Sequence, residues 1–153
     1  MRSGPIRKTI REFKAVEHRL EYVATIRGVE FYNDSKATNV DATIKAIESF
    51  PANIHLILGG KDKGSDYSVL NDLLLQRVKA VYTIGAAAEK IESQIKDTVE
   101  IVHAETLDAA VKRAAKAAQP GDIVLLAPAC ASFDQFQNYE HRGRTFKEIV
   151  KGL

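Results

Sequence analysis

Three short segments of this chain concentrate side chains that could bind a charged small molecule. Residues 33–39 read Asn-Asp-Ser-Lys-Ala-Thr-Asn and combine a carboxylate, an ammonium group and several small hydrogen-bonding side chains. Residues 59–65 hold three glycines, which let backbone approach a ligand closely, and two lysines, which supply positive charge. Residues 128–136 mix small residues, two phenylalanines and one carboxylate. Taken alone, the first two segments are equally well interpreted as ordinary polar turns.

Several familiar kinds of catalytic or metal site are disfavoured by residue spacing. Segment 59–65 has the glycine spacing of a phosphate-binding P-loop, but Ser65 stands where that motif requires lysine. Cys130 has no histidine nearby until His141, so a packed thiol is favoured over a nucleophile. Ser132 lacks the Gly-x-Ser-x-Gly context of a hydrolase serine. The four histidines lack metal-ligand spacing and no Cys-x-x-Cys occurs, so we expect no zinc site.

Length and composition narrow the class of protein further. The chain has 153 residues, which suits one domain, and its 22 basic residues nearly balance 20 acidic ones. A net charge of +2 gives no reason to expect a nucleic-acid partner. The single cysteine fits a reducing compartment, and no apolar run is long enough to span a bilayer. We therefore expect a cytoplasmic, monomeric protein without nucleic-acid binding or membrane insertion.

Hydrophobic periodicity predicts the elements that must position the three segments. Apolar residues at helical spacing predict a helix over residues 5–14, and alternation from Leu20 to Ile26, followed by Gly28, predicts a hairpin. Helices are then predicted near 40–47, 69–74, 86–95, 107–118 and 134–151, and strands at 54–58, 78–84, 99–103 and 123–127. This alternation predicts a Rossmann-like α/β domain with a mostly parallel sheet, an antiparallel edge hairpin and helices on both faces.

Each of the three polar segments follows a predicted strand. Ligands of open α/β sheets bind beyond the carboxyl ends of the strands, so the segments should meet at one edge. That convergence favours a ligand site over three unrelated turns. Thr38 or Asn39 could cap the helix that follows. Arg19, just before the first strand, could reach a phosphate or simply pair on the surface.

The three segments resemble the Mur ligase family. The matching stretches are residues 33–39, 59–64 and 128–143, and the resemblance runs from near residue 5 to the end of the chain. Within these stretches, residues 34–39 and 129–136 are specific to the family's D-glutamate-adding members, whereas residues 59–64 are shared more widely among Mur and folylpolyglutamate ligases. The resemblance implies the C-terminal domain of an ATP-dependent ligase of bacterial cell-wall synthesis. This enzyme would join D-glutamate to UDP-N-acetylmuramoyl-L-alanine.

The resemblance also assigns a role to each matching residue. It implies D-glutamate binding by six residues, Lys36, Thr38, Lys63, Ser132, the backbone of Phe133, and Tyr139, and nucleotide binding by Arg19 and Asp34. Tyr139 stands where the family commonly has phenylalanine. The two lysines suit the two carboxylates of D-glutamate, since charge-assisted hydrogen bonds contribute about 1.5–3 kcal/mol each.

The family's other two domains bind the UDP-sugar substrate and carry the P-loop with its Mg²⁺ ligands. Neither is expected within these 153 residues. ATP and Mg²⁺ are thus expected as cofactors of the full-length enzyme, with no catalytic residue or metal ligand in this chain. We expect the domain to be inactive alone.

Two other functions stay open at this point. The chain could be a stand-alone module that binds an acidic metabolite without catalysis, and an upstream P-loop domain would argue against that. It could also belong to a related ligase with another amino acid, such as a folate polyglutamylating enzyme. The segment at residues 129–136 argues against the second alternative.

Overall fold

A hairpin opens the part of the chain that can be described. The structure is a computed structural model and describes residues 16–153, so the helix predicted over 5–14 lies outside the described residues. Strands β1 (Glu21–Ile26) and β2 (Val29–Asn33) pair antiparallel. Arg27 and Gly28 between them both have positive φ, 52° and 80°, as in the tight turns that match the twist of paired strands. The predicted hairpin is confirmed.

The hairpin joins a six-stranded sheet. The other strands are β3 (Ile54–Gly59), β4 (Val78–Ile84), β5 (Glu100–Glu105) and β6 (Ile123–Leu126), and the spatial order is β1-β2-β6-β3-β4-β5. All neighbouring strands except β1 and β2 pair in parallel. The carboxyl ends of β2 to β6 therefore lie at one edge of the sheet, which we call the carboxyl edge.

Within the described residues 16–153, five helices cover the two faces of the sheet. They are α1 (Val40–Glu48), α2 (Asn71–Arg77), α3 (Ala88–Ile95), α4 (Leu107–Ala117) and α5 (Tyr139–Lys151), and one 3-10 turn (Tyr67–Leu70) precedes α2. Apolar residues of α1, α2 and α3 pack on one face, and those of α4 and α5 on the other. Every residue of β3 and β6 is buried, as expected for central parallel strands. The predicted fold class is confirmed.

The last helix starts later than its periodicity predicts. The prediction placed its start near residue 134, whereas α5 begins at Tyr139 because Asn138 caps it, accepting a hydrogen bond from the His141 amide at 2.7 Å. Asp134 and Gln135 instead bond to neighbouring loops. Residues 127–138 thus form one long loop at the carboxyl edge. Within residues 16–153, no helix has the length and apolar character needed to cross a membrane.

Candidate functional site

Loops at the carboxyl edge are hydrogen-bonded to one another through their backbones. The bonds run from the amide of Ala129 to Ala37 O (2.9 Å), from Gly59 to Pro128 O (3.0 Å), from Lys61 to Ala131 O (2.8 Å) and from Ala87 to Gly60 O (2.8 Å). They link the loops after β2, β6, β3 and β4 into one layer. The three polar segments of the sequence therefore meet at one edge, as predicted, and each holds its neighbours in place.

A buried arginine connects this layer to α5. Arg142 is fully buried and donates from Nε to Ser35 Oγ (2.9 Å), from Nη2 to Ser35 O (2.7 Å) and from Nη1 to Cys130 O (3.1 Å). Burial lowers the pKa of the guanidinium to about 10, so it remains a cation at neutral pH. Sequence reasoning missed this residue. The available signal was a charged side chain between Tyr139 and Phe146, on the apolar stripe of the helix.

A cavity of about 660 Å³ lies beside α1 at the carboxyl edge. Five predicted site residues line it: Arg19, Asp34, Lys36, Thr38 and Tyr139. The volume is within the range of small-molecule sites. The ammonium of Lys36 lies 5.7 Å from the centroid of the Tyr139 ring, within the range of a cation–π contact. Asn39, also in the lining, caps α1 by accepting from the Ala42 amide at 2.8 Å.

Asp34 is the buried acid of this cavity. The residue is only 8% exposed, and burial raises the pKa of its carboxyl group to about 6. The backbone amide of Leu20 and the nearby charge of Arg19 oppose that shift. Asp34 is therefore ionised at neutral pH, close to a guanidinium and within a small-molecule cavity. A buried carboxylate with a perturbed pKa in a cleft is typical of a binding or catalytic site.

The segment that carries Arg19 is fixed by its neighbour His18. His18 is 3% exposed, and its Nδ1 accepts a hydrogen bond from Asn33 Nδ2 at 2.9 Å. Its backbone oxygen accepts from the Lys36 amide at 3.0 Å. The ring packs so closely on Gly143 that a Cβ there would lie 2.1 Å from Nδ1. These contacts hold Arg19 at the entrance to β1, beside the loop after β2.

The other three predicted site residues lie outside the cavity, on the adjoining loops. Lys63 is exposed, Ser132 is 2% exposed and Phe133 is 66% exposed. The bond between Lys61 and Ala131 brings the loops of Lys63 and Ser132 together. The eight residues thus form two adjacent groups along the carboxyl edge, one lining the cavity and one on the loops after β3 and β6. Their ligand contacts stay a prediction.

The described residues contain one group of side chains that could in principle hold a metal ion. The ligand atoms of Glu17, His18 and Glu21 lie within 4.8 Å of one another. Lys147 Nζ lies 2.6 Å from Glu17 Oε2 and 3.2 Å from Glu21 Oε2, so an ammonium group already pairs with both carboxylates and offsets one of their two negative charges. These residues therefore do not suit the Mg²⁺ that a nucleotide brings.

The sequence of the chain matches one known protein family. The family described as "Mur ligase, glutamate ligase domain" matches residues 18–130. UDP-N-acetylmuramoylalanine–D-glutamate ligase of Koribacter versatilis is 73% identical over 148 residues, which are 97% of this chain and 32% of that protein. The corresponding ligase of Solibacter usitatus is 60% identical, again over 97% of this chain and 34% of its own length. The chain thus spans about a third of the length of these curated relatives.

A solved structure supports the fold. The bifunctional folylpolyglutamate synthase/dihydrofolate synthase of Yersinia pestis, crystallised with AMPPNP and a Mn ion, is 13% identical. It superposes with a TM-score of 0.60 over 89% of this chain and 32% of its own. At that identity the similarity shows a shared fold.

Proposed function

Because the chain belongs to the Mur ligase family, we propose that it is the C-terminal, amino-acid-binding domain of an ATP-dependent ligase. The full-length enzyme would add D-glutamate to UDP-N-acetylmuramoyl-L-alanine. The observation that carries the proposal is the 73% identity across 97% of the chain to a ligase of that name. On this proposal, the domains that bind the UDP-sugar and grip the phosphates lie in the rest of a longer protein.

The residues at the carboxyl edge suit a small dicarboxylate. Lys36 and Lys63 would each pair with a carboxylate of D-glutamate, on two loops that the loop after β6 joins. Thr38, Ser132 and the backbone of Phe133 would add hydrogen bonds. Tyr139 would line the same site with its ring. What supports this arrangement is the convergence of the three loops on one edge.

The cavity beside α1 suits part of a nucleotide. At neutral pH the ionised Asp34 would accept hydrogen bonds from ribose hydroxyls, and Arg19 would contact a phosphate. Bound Mg²⁺ would neutralise phosphate charge and would be held outside this chain, which is consistent with the Lys147 contacts of the acidic group near His18.

In the complete reaction, the substrate carboxylate would attack the γ-phosphorus of ATP, the bond from that phosphorus to the β–γ bridging oxygen would break, and an acyl phosphate and ADP would form. The amine of D-glutamate would then attack the acyl carbon, and phosphate would leave. This chain's part would be to hold the amine in place, and positioning of that kind can contribute about 7–11 kcal/mol. Closure of the domain over the nucleotide would bring the two reactants together.

The two alternative functions have weaker support. A folate polyglutamylating enzyme is favoured only by fold similarity at 13% identity, against 73% for the D-glutamate ligase. A stand-alone binding module would not account for relatives about three times as long as this chain. We further propose that the protein is cytoplasmic and monomeric. Light scattering of the full-length protein tests the oligomeric state, and fractionation of cells that express it tests the location.

ADP release by the full-length protein tests the proposal. With UDP-N-acetylmuramoyl-L-alanine and ATP present, steady-state release over many turnovers should require D-glutamate, and L-glutamate should not replace it. The 153-residue chain alone should release no ADP under the same conditions. Activity of the isolated chain, or equal use of L-glutamate, would contradict the proposal.

A further inference from the structure

The segment that carries Lys63 also carries a carboxylate, on Asp62, which could compete with an anionic ligand for the lysine. Asp62 lies between Lys61 and Lys63 and is the single acid within residues 59–65. A carboxylate this close in sequence could pair with Lys63 and neutralise the ammonium group that the proposed function assigns to D-glutamate. Lys63 can therefore bind an anion only if other groups pair with the Asp62 carboxylate.

Two side chains from outside the segment bind the Asp62 carboxylate. Lys90 on α3 approaches Oδ2 with its Nζ at 2.9 Å, and the Tyr67 hydroxyl donates to Oδ1 at 2.7 Å. The amides of Gly64 and Ser65 also bond to this carboxylate. The hydrogen bonds from Lys90 and Tyr67 hold the pKa of Asp62 well below its usual range. Asp62 is therefore ionised, and the ammonium group of Lys90 already balances its charge.

These contacts also fix the backbone on either side of Lys63. Asp62 precedes it, and the two amides that bond to the Asp62 carboxylate follow it, so the segment closes into a turn around Lys63. Tyr67 is fully buried, and its hydroxyl lies 3.1 Å from Cys130 Sγ on the loop after β6. The turn is thus anchored to the same loop that carries Ser132.

The ammonium group of Lys63, unlike the carboxylate of Asp62, has no ion-pair partner among the described residues. Lys63 is exposed, and within residues 16–153 its side chain has no acidic partner. The nearest acid in sequence is committed to Lys90. A cation held on a fixed turn without an intramolecular partner can pair with a carboxylate of a ligand.

We propose that Lys90 and Tyr67 are positioning residues, which bind Asp62 so that Lys63 stays available to the substrate carboxylate. The inference rests on the proposed function. Neither residue touches the substrate on this account. Lys90 acts as a substitute partner for Asp62, and Tyr67 fixes the direction in which the carboxylate points.

Steady-state kinetics of the full-length ligase test the proposal through a pair of variants. In Lys90→Met, Asp62 keeps the hydrogen bonds from Tyr67, Gly64 and Ser65 but loses its ion pair with Lys90. The uncompensated carboxylate should draw the ammonium group of Lys63 towards itself, so the KM for D-glutamate should rise about tenfold while the KM for ATP stays within about twofold. Adding Asp62→Asn to Lys90→Met removes the freed charge and should return the KM for D-glutamate to within about threefold of the starting value. The asparagine oxygen can still accept from Tyr67 and Ser65.

Other variants separate positioning from simple structural support. Lys90→Arg keeps the charge and should leave the KM for D-glutamate nearly unchanged. Lys112→Met removes a lysine from an exposed pair with Asp108 on α4 and should change neither KM. An unchanged KM for D-glutamate in Lys90→Met would overturn the proposal, as would a double variant no better than the single one.

A structural readout on the 153-residue chain does not depend on the reaction. A crystal structure of the Lys90→Met chain should show the Asp62 carboxylate within about 4 Å of Lys63 Nζ. A carboxylate that stays on Tyr67 and away from Lys63 would overturn the inference. If the full-length protein lacks D-glutamate-dependent activity, the proposed function fails, and this crystal structure still decides whether Lys90 keeps Asp62 from Lys63.

Discussion

Arg142 donates two hydrogen bonds to Ser35, from Nε to Oγ at 2.9 Å and from Nη2 to the backbone oxygen at 2.7 Å. The two residues are 107 positions apart in the chain. Ser35 Oγ in turn donates to the backbone oxygen of Tyr139, at the start of the helix that carries Arg142. The loop after β2 and the first turn of α5 are thus joined as one unit, although no carboxylate among residues 16–153 forms an ion pair with the buried guanidinium.

Replacement of Arg142 by lysine should destabilise the fold strongly. Lysine keeps the charge but cannot place donors on Ser35 Oγ, Ser35 O and Cys130 O together, so buried acceptors lose their partners. We expect a loss of about 2–4 kcal/mol in the free energy of unfolding, measured by urea denaturation. Arg144→Lys, on the exposed side of the same helix, should change it by less than about 0.5 kcal/mol. Equal effects would contradict the bridging role.

Asp34→Asn should stabilise the protein at pH 8. Burial raises the pKa of Asp34 from 3.8 to about 6, so the folded state holds this proton more tightly than the unfolded chain. Between about pH 4 and pH 6 the unfolded chain ionises first, and stability falls as pH rises; above that window the cost is constant. Removing the ionisable group should add about 1–3 kcal/mol to the free energy of unfolding at pH 8.

The same substitution should have little effect at pH 4, where Asp34 is protonated in the folded protein. Urea denaturation at the two pH values measures the difference. The exposed Glu148→Gln on α5 serves as the control and should show no comparable pH dependence. A stabilisation of equal size at both pH values would show that the charge of Asp34 is not its cause.

Two glycines with positive φ should respond differently to alanine. A Cβ at Gly59, where β3 ends, would lie 2.0 Å from the backbone oxygen of Ile84, whereas a Cβ at Gly64 would meet nothing within 4 Å. Gly64→Ala should therefore cost only the backbone strain of about 1–2 kcal/mol. Gly59→Ala should cost well over about 3 kcal/mol or prevent folding, because β4 must move away from β3.

Circular dichroism and urea denaturation of the two variants check this difference. A Gly59→Ala protein as stable as Gly64→Ala would mean that the approach of β3 to β4 is looser than the structure shows.

The order of strands and helices could be predicted from the sequence because their signals are local. Alternating apolar residues and a glycine turn identify the hairpin, and helical spacing identifies α1 and α4. The meeting of three polar segments at one edge follows from the parallel sheet. The start of α5 was predicted too early because residues 134–138 are held by contacts with distant segments. Asp134 accepts a hydrogen bond from the Ala86 amide at 2.9 Å, which keeps it in the loop before the helix.

Long-range partners could not be predicted in the same way. The sequence places Lys63 next to Asp62, but gives no sign that Lys90 on α3 takes the carboxylate. The burial of Arg142 and the raised pKa of Asp34 likewise depend on packing between distant segments. The division of the predicted residues between a cavity and two adjoining loops also emerged only from the structure.

The most direct test of the account is the effect of Lys63→Ala on the two Michaelis constants of the full-length ligase. Lys63 is exposed on a fixed turn and is assigned to a carboxylate of D-glutamate, whereas the nucleotide is assigned to Arg19 and Asp34 in the cavity. Loss of one charge-assisted hydrogen bond should raise the KM for D-glutamate by about tenfold or more and leave the KM for ATP within about twofold. Equal changes in both constants would contradict the assignment of Lys63 to the amino-acid site.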